Sequence, residues 1–143
     1  MKNIILILLL SLTLFGANID KFAQKMGFER DYKTALSKAK KENKLLMMVL
    51  GADYCPWCRK FERKTLNSKL IKPILDKKLV TLVVDKKFDI ESFPHKYRTQ
   101  FTPRVFFINS QNEEIISQTT GYIKKKNFLM NINDALELYK VKK

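Results

Sequence analysis

From Ile4 to Phe15 the chain is almost unbrokenly apolar, with only Ser11 and Thr13 as small polar interruptions. Beyond it the spacing becomes helical. Ile19, Phe22, Ala23 and Met26 share one face of a helix expected over Ile19–Phe28, with Asp20 near its start. Asp31 is placed to cap a second helix. Its apolar stripe is Tyr32, Ala35, Leu36 and Ala39, and Lys38, Lys40 and Lys41 face water or the negative end of the helix dipole. Leu45–Leu50 is then wholly apolar, as a strand buried on both faces is. A turn at Gly51-Ala52-Asp53-Tyr54 leads into a helix predicted from about Pro56 to Leu66. Proline in a first turn costs little, because its missing N–H would have no helical partner anyway.

The second half alternates strands and turns. Asn67-Ser68 breaks the preceding helix, and Ser68 is placed to cap a short helix through Leu75, which Pro73 kinks or interrupts. Leu79–Asp85 reads as a second strand. Phe88–Gln100 reads as a loop with a short helix over Pro94–Arg98. Val105–Ile108 is a third strand, Asn109-Ser110-Gln111-Asn112 a turn, and Ile115–Thr119 a fourth strand closing a hairpin. Gly121 is expected to mark a bulge. A last helix over Lys124–Tyr139 buries Phe128, Ile132, Ala135, Leu136 and Tyr139. No repeat, low-complexity segment or linker interrupts the order, which predicts an α/β domain with a central mixed β-sheet flanked by helices.

Charge and the N-terminus add a location. The chain has 143 residues, enough for one domain with its own core. It holds 28 Lys+Arg against 14 Asp+Glu, a net charge of +14. Such a field attracts nucleic acid, acidic headgroups or acidic proteins. The lysines are scattered, however, and only Lys124-Lys125-Lys126 and the tail are clustered. No basic stripe interleaved with aromatics appears, so a solvated Lys-rich surface is the simpler reading. Lys2, the apolar stretch and Gly16-Ala17 together read as a secretory signal peptide over residues 1–17, with the domain over 18–143. The stretch is shorter than the ~20 residues of a membrane span. Export removes nucleic acid as a partner.

The chemistry rests on the only two cysteines, in Cys55-Pro56-Trp57-Cys58. A strand that delivers two thiols to a helix start places them at its positive end, which stabilises a thiolate, the nucleophile of disulfide exchange. Two other readings compete. Structural zinc takes four ligands, and only Cys55, Cys58 and His95 are available from Cys and His. A structural disulfide across so short a loop removes little unfolded-state entropy. Met47 and Met48 read as core, His95 as a surface residue, and Trp57 either as a contact for partners or as an aromatic packed on Tyr54 or Pro94.

Leu46–Leu50 followed by the C-x-x-C, then Phe101-Thr102-Pro103-Arg104 before a strand, then a hairpin ending near Gly121 ahead of a terminal helix, resembles the thioredoxin superfamily across residues 31–140. With Ala35–Lys44 it is similar to the exported thioredoxin-like proteins related to the C-terminal domain of DsbD. The resemblance implies a thioredoxin-like fold and a periplasmic thiol:disulfide oxidoreductase that needs no metal or organic cofactor. It makes Cys55 the exposed nucleophile, Cys58 the resolving cysteine, Pro103 a cis residue against the pair, and Thr102 and Trp57 substrate contacts. The implied partners are protein thiols or disulfides and a membrane redox partner, with a monomer and a reductant role favoured. The alternative is a non-catalytic module of the same fold that binds through its basic surface. One departure stands out: family reductases often carry a buried acid six residues before the nucleophile, where this chain has Val49. Glu62, seven residues after Cys55, is expected at the surface, and Arg59 and Lys60 are expected to be solvated.

Overall fold

The protein is described here by a computed structural model covering residues 18–142. The signal peptide expected at residues 1–17 lies outside the described residues.

Leu45–Gly51 forms β1, the centre of the fold, and all seven of its residues are buried. Its alternation feeds two cores. Leu45, Met47 and Val49 point into one apolar cluster, and Leu46, Met48 and Leu50 into another. The first core takes Ile19 and Met26 from α1 (Asn18–Met26), and Phe128, Ile132 and Ala135 from α5 (Lys125–Val141). It also takes Phe61 from α3 (Pro56–Phe61). The second takes Tyr32, Ala35 and Ala39 from α2 (Tyr32–Glu42), with Phe93 and Tyr97. Covering both faces of a strand explains why it reads as continuous apolar sequence. Each fully buried Leu or Met contributes about 1.5–3 kcal/mol.

β1 pairs in parallel with β2 (Leu79–Asp85) and antiparallel with β3 (Arg104–Ile108), which pairs with β4 (Ile115–Thr120). The order is β2-β1-β3-β4, a mixed sheet as the sequence predicts. No helix among the described residues is long and apolar enough to cross a membrane.

Asp31 caps α2 as expected, its carboxylate accepting from the Thr34 N–H at 2.7 Å. Two expectations need correction. Pro73 starts a helix, α4 (Lys72–Lys78), instead of interrupting one; Ser68 instead shapes the preceding turn, its Oγ accepting from the Ile71 N–H. Gly121 is not the bulge, because the β3–β4 register shifts between Phe107 and Ile108. Gly121 instead sits at φ 79° and donates its N–H to the Pro103 carbonyl at 2.8 Å, tying the end of the hairpin to the loop before β3.

The segment before α2 is fastened to β2. Glu29 pairs with Leu82 as an isolated parallel bridge. Arg30 donates to the Val83 carbonyl, to Asp89 at 2.8 Å and to Asp20 at 2.6 Å. Asp89 in turn accepts from the Asp85 N–H, and Asp85 accepts from the Asp53 N–H at 3.1 Å. A chain of bonds therefore runs from Arg30 to the turn just before Cys55.

Candidate active site

β1 ends at Gly51, the chain turns through Ala52–Tyr54, and Cys55 becomes the N-cap of α3, with Pro56 in the first turn. The Cys55 Sγ accepts from the Cys58 N–H at 3.2 Å, so one of the helix's free donors points at the outer sulfur. Cys55 and Cys58 are joined as a disulfide with Cα atoms 5.2 Å apart. Cys55 is 9% exposed and Cys58 1%. Both residues are buried, against the exposed nucleophile expected, and Cys55 is the less enclosed of the two.

The loop that resemblance placed against the pair lies there. The Thr102–Pro103 bond is cis. The Thr102 carbonyl lies 3.8 Å from the Cys55 Sγ, and its hydroxyl 3.6 Å. In the disulfide Cys55 has no S–H, so the first of these is a contact; a reduced thiol there would have an acceptor waiting.

Trp57 is 56% exposed, and the ring it meets is that of Tyr122. Its ring centroid lies 6.0 Å from that of Tyr122, and Lys60 Nζ sits 4.8 Å from the Trp57 centroid and 4.7 Å from that of Tyr122. Lys60 is therefore a cation shared by two rings and not simply a solvated residue. His95 is exposed and Met47 and Met48 are buried, as the pattern implies.

Glu62 departs from its expected place. It is buried, with 7% exposure, and opens a π-helical turn over Glu62–Leu66 that continues α3. Its carboxylate takes the Arg59 Nη2 at 2.8 Å. Burial pushes its pKa up to about 7, against the pull of Arg59 and with a further push from Asp53. Glu62 follows Cys58 by four residues, so both occupy one face of the helix. The Arg59 Nη2 and the Cys58 Sγ each lie 3.9 Å from where a Cβ on Gly51 would stand, which puts the guanidinium near the inner sulfur. Val49 is buried under the same end of the sheet, at 3% exposure. The helix thus carries a buried acid four residues after Cys58, while the strand position holds Val49. The signal in the sequence was the spacing: three residues from Arg59, four from a core cysteine.

A family model described as a thioredoxin-like domain matches residues 32–136. Among solved structures, the chain is similar to a DsbH oxidoreductase at 20% identity and TM-score 0.62, covering 77% of this chain and 84% of that one. A thioredoxin from Thermus thermophilus matches at 20% identity and TM-score 0.63, covering 80% and 85%. The oxidised C-terminal domain of DsbD from Neisseria meningitidis matches at 21% identity and TM-score 0.59, covering 76% and 98%. At these identities the structural likenesses establish the fold. No curated protein is similar to the chain at a significant level.

Proposed function

The chain belongs to the thioredoxin-like domain family and, with its C-x-x-C pair at a helix start, is a thiol:disulfide oxidoreductase by class; we propose that it is exported and reduces protein disulfides. The observation that carries this reading is the disulfide at the N-terminus of α3, with its outer sulfur facing Thr102 and its inner sulfur buried.

In the reduced protein the Cys55 thiolate attacks a substrate disulfide. A Cys55–substrate mixed disulfide forms and the first substrate thiolate leaves. Cys58 then loses its proton and attacks the Cys55 Sγ, re-forming the Cys55–Cys58 disulfide and releasing the second substrate thiolate. Two electrons pass to the substrate. Glu62, with its pKa near 7, accepts the Cys58 proton, which assigns the transfer that Val49 leaves without a base. Thr102 and Pro103 hold the substrate segment in an extended, strand-like pairing, and Trp57 contacts its surface.

Two features support the direction: Thr102 before Pro103, and the likeness to the DsbD C-terminal domain. Such a protein needs its dithiol restored by a membrane redox partner. It works as a monomer of residues 18–143, the first 17 having served as signal peptide.

Equilibration of the pair in defined dithiol buffers, followed by Trp57 fluorescence, tests this. A potential near about −270 mV, that of thioredoxin, is expected. A value near about −120 mV would make the protein a disulfide donor instead. A pair that does not exchange at all would leave only the non-catalytic module.

A further inference from the structure

A groove of about 570 Å³ opens beside the cysteine pair. Tyr54, the neighbour of Cys55, forms one wall, and Thr99 and Gln100, just before Thr102, form another. Leu50, Ile90 and Phe93 make its apolar lining. Lys86, Lys87 and Arg98 supply its charge.

The sign of that charge is unbalanced. The Lys86 ammonium donates to the Gln100 carbonyl at 2.9 Å, which holds it across the groove. The Lys87 ammonium lies 5.6 Å from the ring centroid of Phe88, itself 69% exposed. Among the described residues neither lysine is in an ion pair. The nearby carboxylates are turned inward. Asp85 is buried and accepts from the backbone of Asp53, Lys87 and Phe88, and Asp89 is bound to Arg30. Glu91, in the same loop, stands outward, 83% exposed and paired with Arg98 at 3.1 Å. Exposed pairs of that kind are weak, so Glu91 is readily displaced.

We propose that this groove receives an acidic stretch of the substrate polypeptide next to its disulfide, so that the chain is selective for disulfides flanked by Asp or Glu and an apolar side chain. The inference rests on the exchange reaction proposed above and names its substrate class. The apolar lining takes the side chain, and Lys86 and Lys87 take the carboxylates. A segment lying there reaches Cys55 past Tyr54 on one side and Thr102 on the other. Complementary charge at the rim acts chiefly on the rate of encounter and weakens with salt.

Two disulfide-bridged peptides of one sequence, one with Glu flanks and one with Lys flanks, test it with the reduced full-length protein. At low salt the Glu peptide is expected to show kcat/KM about tenfold higher, the effect of one to two partly screened ion pairs. At about 1 M salt, where charge reaches only about 3 Å, the two rates converge. The ratio also falls toward one in the double variant K86Q/K87Q, which removes both charges and leaves an amide donor in place of the Lys86 ammonium. Equal rates at low salt overturn the proposal, and so does a preference that survives in K86Q/K87Q. Hydroxyethyl disulfide separates the two levels. If it and both peptides fail to react, the exchange reading falls and takes this one with it. If all react alike, only the groove assignment falls.

Discussion

Cys55 and Cys58 are three residues apart on one helix, yet the regions around them differ in kind. The outer region is open: Tyr54, Trp57, Phe88 and Phe101 are all more than half exposed, and Lys60 and Lys87 sit beside the Trp57 and Phe88 rings. The inner region is closed. There Cys58 is followed by the half-buried Arg59, which pairs with the buried Glu62 one turn further along the helix. The difference shows how one residue type can do two jobs. On the proposed mechanism the helix N-terminus readies the less buried sulfur for attack, while the fully enclosed one serves only to resolve the mixed disulfide.

Exchanging the sulfurs one at a time breaks the comparison most sharply. Cys55→Ser should abolish exchange, since a hydroxyl does not attack disulfides. Cys58→Ser should keep the first attack and accumulate a Cys55–substrate adduct, visible by mass on unreduced samples. An adduct on Cys58 in the Cys55→Ser variant would reverse the assignment of inner and outer roles.

Glu62→Gln comes next. The resolving step should slow roughly 10²-fold at neutral pH, within the range of general base catalysis, and the limb of the pH–rate profile near 7 should vanish. Stability offers an independent reading. Folded Glu62 keeps its proton up to about 7, while the unfolded chain releases it near the ordinary value of 4.5. Between those values the folded state binds more protons, so its stability falls as pH rises, by up to ~3 kcal/mol from this group. Urea unfolding at pH 5 and pH 8 should show that slope in the wild type and lose it in Glu62→Gln. An unchanged slope would mean that Glu62 is not the titrating group.

The outer region is tested by smaller effects. Trp57→Ala should weaken protein substrates by about 1–2 kcal/mol while sparing small disulfides; equal loss on both would make Trp57 a structural residue. Lys60→Ala should cost roughly 0.5–1 kcal/mol of stability and shift Trp57 emission, because the ring loses its cation. Emission that does not move would mean the Lys60–Trp57 contact is not kept in solution.

The same division explains what the sequence revealed. β1 was legible because six consecutive apolar residues, Leu45–Leu50, allow few structures, and the motif was legible because only two cysteines exist. Asp31 was legible because a cap acts on its own neighbours. Glu62 was not, because its burial depends on Arg59 folding over it and on the π-helical turn that begins there. Helical periodicity of 3.6 describes neither. Tyr122 was missed as the partner of Trp57 because their meeting joins α3 to the end of the hairpin, 65 residues away. Pro73 was misjudged because proline breaks a helix interior and starts a helix equally well; only the turn shaped by Ser68 decides between the two.

The Arg30 fastener sets where the working unit can be trimmed. Residues 18–31 lie ahead of the segment that matches the family, and a boundary drawn at residue 32 would discard them. It would also discard the guanidinium that holds Asp89, and with it the tether on the loop after β2. That loop carries Lys86 and Lys87 and, through Asp85, supports the turn before Cys55. A shortened chain would therefore be nicked first by proteases between residues 85 and 90 and would exchange its amide hydrogens fastest there, while β1 stayed protected.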